Sequence, residues 1–469
     1  MQECIHHCGP PSLDDERGPS PSAQAQEVLG DYPLFRRWDA LMSARPILAA
    51  IAVAGLGLAA CGSSNSGGGG SSVNPGPSDK QLIIGMINPF SGTDAAFGLD
   101  MNAGCVAAVQ VINEHGGALG HTFKCVPIDS KGDAADAVPA VTKALALYSN
   151  MVGVIGPGTD AATATMPLLE QAQMPTMGAN GDVSFNQNSY KYYWRITPSD
   201  TGNAVGMVVA AKNLGYTRAA LVFGNDAGAQ TSVPGIQKSW PKVGGTIVDT
   251  ESLTPSQPSY QTEAAKVAAS NPDVIFTETD PQTAATFFGE LKQMGKLVPI
   301  LGTEPTIIPT WYQAVQGAVG ASDLQTYYRG VEQYTPTGPG QDGYKTALLA
   351  DQGVDNPGQY LPSPFCKSYY DSVNLLVLAM IKAKSVAPSV YNSAIPSVTN
   401  GAKVVYTFAD GAAALKAGTN ISYQGAVGPI AFDQYHNSSG EFAVVKFASD
   451  GSASNPLTTI TASELQAAS

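Results

Sequence analysis

From Lys80 to about residue 301, short apolar runs alternate with helical patterns. No other feature of the chain constrains its fold as much. "LIIGMI", residues 82–87, is rich in branched aliphatic residues and stops at Asn88-Pro89, as a buried strand does. Residues 97–114 follow with Cys105, Ala108, Val109 and Ile112 on one helical face, and the glycines of "EHGGALG" end that helix. The same cycle predicts strands at 122–128, 152–155 and 175–178, with helices at 133–149 and 161–171. Near Pro198 it restarts, with helices at 203–214, 228–242, 263–269 and 283–294 and strands at 219–223, 246–252, 274–277 and 298–301. Such alternation builds βαβ units and a mostly parallel sheet. The strands are too many for one sheet, so the expectation is an α/β chain with two doubly wound lobes. A long helix at 369–384 and closing strands in "GPIAFD" and "EFAVVKF" complete the body.

Upstream, "LAACGSSNSGGGG", residues 58–70, passes from an apolar run through one cysteine into glycine and serine. The apolar stretch 47–60 is shorter than the roughly 20 residues of a membrane span and has the length of a signal-peptide core. Met42, Ser43 and Arg45 precede it, and Leu58-Ala59-Ala60-Cys61 resembles a bacterial lipobox. The expectation is a signal peptide over 42–60, lipid on the Cys61 thiol and a flexible tether over 61–79. This places the protein outside the cytoplasm, anchored to the bacterial cell membrane. Residues 1–41 then read as an upstream extension absent from the working protein. Their Cys4, His6, His7 and Cys8 lack the second ligand pair that a structural zinc site needs.

The chain holds 25 basic and 38 acidic residues, a net charge of −13. That balance argues against nucleic acid, which is bound through basic surface. Of the cysteines beyond the signal, Cys61 is reserved for lipid, leaving Cys105, Cys125 and Cys366. Cys105 lies on the inward helix face and Cys125 in the next strand, which leaves open a disulfide between them or two buried thiols.

Ligands of open α/β sheets bind beyond the carboxyl ends of the strands. The loops to search are therefore 90–97, 157–160, 179–182, 225–228, 278–280 and 303–304. "GPGTDA", residues 156–161, imitates a dinucleotide fingerprint, but two βα units precede it and Pro157 stiffens the turn. The start of its helix, flanked by Thr159 and Thr163, could instead receive a carboxylate. Asp160, Asp182, Asp280 and Glu304 cluster in these loops. Such acids can serve a glycosidase, cap helices, or cage a ligand ammonium. The body shows no G-x-S-x-G elbow, no metal-spaced histidines and no Cys/His pair, so no catalytic residue, metal or cofactor is expected. His115, His121 and His436 are scattered and read as surface residues.

"IGMINPFSGTDAAFG", "VINEHGGALG", "VIGPGTDAATATMP", "YYWRITPSD", "YYDSVNLLVLAM" and "GPIAFDQYHNSSGEFAVV", in this order and spacing, resemble the branched-chain amino-acid-binding family of ABC transporter solute receptors. The resemblance runs from about Lys80 to about Ser449. It implies a type I periplasmic-binding fold whose two lobes are joined by three crossing strands and close on ligand like a hinge. It also implies an N-terminal lobe of 80–198 with 334–440, a C-terminal lobe of 199–333 with 441–455, and a tail over 456–469.

By the same resemblance Phe97 stands where an aromatic residue covers the ligand side chain, and Phe365 keeps an aromatic near the hinge. Asp160 stands where a small hydroxyl residue meets the ligand carboxylate, and Asn180 and Asp182 replace a small and a hydroxyl residue. Ala227 replaces a tyrosine, Asp280 occupies a frequent aromatic position, and Glu304 keeps the acid that pairs with the ligand ammonium. The frame matches, but the lining is more acidic and less aromatic than in leucine binders. The implied role is a monomeric receptor that hands a small amine-bearing solute, an amino acid or amide-like compound, to an ABC permease and its ATPase. The alternatives are a sensory receptor of the same fold and an exported hydrolase using Asp160 and Asp182.

Overall fold

The computed structural model describes residues 74, 76–92, 94–438, 440–448 and 456–469. Cys61, the segments 1–41 and 42–60 and most of the 61–79 tether lie outside the described residues.

The first sheet is made of β1 (Gln81–Asn88), β2 (Thr122–Asp129), β3 (Met151–Ile155), β4 (Thr176–Gly178) and β5 (Tyr193–Arg195). All its pairings are parallel, in the order β2-β1-β3-β4-β5. Parallel strands need crossovers. The first three are α1 (Ala95–Glu114), α2 (Ala134–Leu147) and α3 (Thr159–Gln171). β1 is buried from Leu82 to Asn88 because helices cover both faces of the sheet. One side packs against α1 and a long helix, Pro364–Ala383, whose Tyr369, Val373, Leu376 and Met380 are buried. The other side packs against α2 and α3 through Val141, Met166 and Leu169. A disulfide joins Cys105 in α1 to Cys125 in β2, with Cα atoms 6.3 Å apart, and Cys366 is buried and free. A Cβ on Gly104 would lie 2.2 Å from the Cys366 carbonyl oxygen, so only glycine lets α1 and the long helix approach this closely.

The second sheet starts with β6 (Arg218–Gly224), β7 (Thr246–Leu253), β8 (Val274–Glu278), β9 (Ile300–Gly302) and β10 (Tyr328–Gln333). The chain then returns to the first lobe, where β11 (Lys403–Val405), β12 (Ile421–Gly425) and β13 (Gly428–Pro429) form a small sheet. Finally β14 (Phe442–Val445) and β15 (Thr458–Ile460) join the second sheet antiparallel, giving β15-β14-β10-β9-β8-β6-β7. Its cores are built around Leu221, Phe276 and Val331 on one side and Phe287, Trp311 and Tyr328 on the other.

Three crossings join the sheets, at 196–199, at 334–338, and between Ser438 and the pair Gly440 and Glu441. They are stitched side by side: Ser438 N donates to Arg195 O at 2.8 Å and Tyr334 N to Glu441 O at 2.8 Å. The fold is the α/β type I periplasmic-binding architecture that the sequence leads one to expect.

Several expectations are corrected in detail. The single helix expected over 228–242 is broken into Ala227–Gln230, Val233–Ser239 and a 3-10 turn at Pro241–Val243. Pro234 and Pro241 lack the N–H that would continue a helix from the turn before. "GPIAFD" holds only the two-residue β13 and an isolated bridge at Phe432. The segment 456–469, expected as a tail, supplies β15 and the helix Ala462–Ala468, whose Ala468 is buried in the second lobe. His436 is not a plain surface residue: its ring stacks on Trp194 with centroids 3.8 Å apart.

Candidate functional site

A cavity of about 130 Å³ opens beyond the carboxyl ends of both sheets, and each of the six loops singled out above contributes to its wall. This space suits a solute filling roughly ten water-sized positions. Phe97, in the first turn of α1, and Phe365, at the start of the long helix, line it together as an edge-to-face pair with centroids 6.0 Å apart. Both belong to the first lobe, and both pack against the cores of the two lobes.

Seven carboxyl groups line the cavity: Asp94, Asp160, Asp200, Asp226, Glu278, Asp280 and Glu304. No lysine, arginine or histidine stands among the described lining residues. Glu304 is buried just after β9, where its Oε1 accepts from Gln333 N at 2.7 Å. Burial raises its pKa to about 8; Glu332 and Asp200 add to the rise, while Lys367 and the Gln333 N–H oppose it. Asp94 is raised to about 7 by burial and then by repulsion from Asp226, Asp160 and Asp280. Asp160, raised to about 6 by burial and by Asp226, reaches across the cleft to accept from Gly228 N at 3.0 Å. Asp200 is also raised to about 6, chiefly by burial, and bonds to Thr231 Oγ1 and Asn203 Nδ2. Burial pushes Glu278 well above the usual carboxylate range, though Thr303 Oγ1 donates to it at 2.7 Å.

The helix starts around the cleft offer fewer free N–H groups than the sequence suggests. Ala229 N donates to Asp226 Oδ1 at 2.7 Å, and Gln282 N and Thr283 N donate to Asp280 Oδ1 at 3.0 Å. Asp280 thus caps its helix, Pro281–Gln293, while facing the cavity. At α3, Ala161 N is bonded to Gly158 O at 3.2 Å.

Phe97, Asp160, Asn180, Asp280, Glu304 and Phe365 therefore meet at one cavity. Asp182 and Ala227 do not line it. Asp182 caps a short 3-10 turn through Ser184 N at 2.8 Å, and Ala227 is an exposed first helical residue. The pairing of Asp160 with Asp182 that the hydrolase alternative needs is not assembled in the lining. Asp94, Asp200, Asp226, Glu278, Asn203 and Thr279 are lining residues that sequence reasoning did not single out. Four of them, Asp94, Asp226, Glu278 and Thr279, sit in loops it did flag, and Asp200 ends the "YYWRITPSD" stretch. Among the described residues no group of three or more His, Cys, Asp or Glu side chains is arranged to hold a metal ion.

Comparison with solved structures places the fold. A leucine-binding protein from Thermotoga maritima superposes with a TM-score of 0.67 at 18% identity, covering 82% of this chain and 99% of that one. A branched-chain amino-acid substrate-binding protein from Streptococcus pneumoniae, in complex with isoleucine, gives 0.65 at 21% identity, covering 81% and 99%. A solute-binding protein of an ABC transporter from Rhodopseudomonas palustris, in complex with p-hydroxybenzoic acid, gives 0.65 at 19% identity, covering 81% and 97%. Among curated proteins, none matches the chain by sequence. The family profile described as periplasmic binding protein matches residues 81–452, nearly the whole described body, and the chain belongs to that family.

Proposed function

We propose that this chain is the extracytoplasmic solute receptor of an ABC importer and takes a small amine-bearing solute in the cleft between its lobes. The observation that carries the reading is the cavity wall, with seven carboxyl groups and no basic side chain among its described residues. Carboxylates taken out of water are costly unless paired, and a ligand ammonium supplies the missing partner. Phe97 and Phe365 offer apolar contact and a face for a cation. A hydroxybenzoate such as that in the Rhodopseudomonas palustris relative would be repelled by this wall. Binding without turnover, with hinge closure between the lobes, is the action this reading assigns.

A thermal-shift screen over amines, amino acids and amides followed by calorimetry tests it. Glu304→Gln should weaken the best ligand by roughly 1.5–3 kcal/mol, the range for a hydrogen bond to a charged group. Equal affinity in the two proteins, or a best ligand without an amino group, would refute the reading. The lipid anchor belongs to the same proposal. Metabolic labelling with a fatty acid should mark the wild type and not Cys61→Ala, and label persisting in the variant rejects the anchor.

A further inference from the structure

We infer that the cleft is built for a solute with an ammonium group at each end and no carboxylate, rather than for an amino acid. This rests on the amine-receptor reading above and narrows it.

The acids form two groups. Asp160 and Asp226 stand together, accepting from the adjacent Gly228 N at 3.0 Å and Ala229 N at 2.7 Å, and with Asp280 they repel Asp94, whereas Glu304 sits against β10, accepting from Gln333 N, and is repelled by Glu332 and Asp200. Glu278 links them, being repelled by Asp200, Asp226 and Asp160. One ligand ammonium at Glu304 leaves the Asp94 group without a cation: Lys367 acts on Glu304 and Arg195 on Asp200, and neither acts on Asp94.

A second, independent observation is a set of buried polar atoms in the same wall without a partner. Asn180, Asn203 and Thr279 are 2%, 5% and 3% exposed, and Asn180 Oδ1, Asn203 Oδ1 and Thr279 Oγ1 make no hydrogen bond. Asn203 cannot simply turn over, because its Nδ2 donates to Asp200 Oδ1 at 3.3 Å, a carboxylate oxygen that only accepts. Asn180 Nδ2 donates to the Tyr193 hydroxyl at 3.0 Å and the Pro157 carbonyl at 3.4 Å, which leaves its Oδ1 without a donor. An N–H donor on a ligand would satisfy these oxygens.

Four helix-start donors around the cleft that could hold a ligand carboxylate are taken by the chain itself. Asp160 occupies Gly228 N, Asp226 occupies Ala229 N, and Asp280 occupies Gln282 N and Thr283 N. The protein's own anions stand at these helix starts, so an incoming carboxylate would meet like charge.

Three matched probes separate the possibilities: 1,5-diaminopentane, lysine, which adds only a carboxylate to it, and pentylamine, which lacks the second ammonium. By calorimetry on the full chain at pH 7, the diamine should bind at least tenfold more tightly than either of the others. Asp94→Asn should lower diamine affinity about tenfold more than pentylamine affinity. Lysine or pentylamine matching the diamine, or an Asp94→Asn variant that keeps the full diamine preference, overturns this inference and leaves the amine receptor standing. Binding of p-hydroxybenzoate or calcium ion with none of the amines overturns both.

Discussion

At the scale of single residues, Gly181 decides whether Asp200 can serve the cleft. Asp200 N donates to Gly181 O at 2.8 Å, and a Cβ at 181 would lie 1.9 Å from Asp200 Oδ1. The carboxylate cannot move aside freely, because Thr231 and Asn203 hold it. Gly181→Ala should therefore lower stability by about 1–3 kcal/mol, the cost of leaving a buried polar group unsatisfied. Gly317 is the control: it is exposed in a helix with nothing near its Cβ position, and Gly317→Ala should gain about 0.5–1 kcal/mol. Urea unfolding of both variants measures this, and a Gly181→Ala protein as stable as the wild type contradicts it. The same pair of residues shows why the site was only partly legible in the sequence. Asp200 lies ahead of the helix expected at 203–214, and nothing in its neighbours announces that a chain crossing swings it into the cavity. Glu304 was legible because it follows a strand that the apolar pattern locates, and Phe97 through the family resemblance of the stretch that carries it.

At the scale of elements, legibility followed apolar content. β1, β3 and β8 are built on buried apolar runs, and the periodicity finds them within a residue or so. β5 and β10 escape it. β5 ends in Arg195, which is 1% exposed, and β10 carries Glu332 and Gln333, which are also buried. A buried polar residue breaks the pattern unless its partners are known. Arg195 is held nearby by Asn186 Oδ1 at 2.6 Å and the Asp182 carbonyl at 3.1 Å, and from far along the chain by Asn437 Oδ1 at 2.9 Å. Such bonds fix the strands nearest the crossings, where the two lobes must be positioned.

At the scale of the whole molecule, the unusual quantity is the number of carboxyl groups whose pKa is raised by burial. Beside Asp94 at about 7 and Glu304 at about 8, burial raises Asp100 to about 7 and Asp371 to about 6. A carboxyl whose folded pKa lies above its unfolded value holds its proton more firmly when folded. Its contribution is full below the unfolded value and is lost as the pH rises through the folded one. Here that window runs from the ordinary carboxyl values of 3.8 and 4.5 up to about 8. The melting temperature of the empty protein should fall between pH 5 and pH 8.5, and a saturating amine ligand should reduce the fall by replacing protons with ammonium. Scanning calorimetry across this range checks it, and an empty protein that gains stability toward pH 8.5 would contradict it.

The order in which the strands are drawn from the chain has one further consequence. β10 receives its neighbour β14 only after about a hundred residues spent in the other lobe, and β14 in turn receives β15 later still. The first lobe likewise waits for the long helix Pro364–Ala383 to cover one side of a sheet whose strands end at Arg195. As the chain emerges from its amino end, both halves keep an uncovered face or an open strand edge until the last fifth has arrived. Open edges and bare apolar faces are what drive chains to pair with one another. A chain assembled this way can complete neither half early, and forms both together once nearly all of it has been supplied.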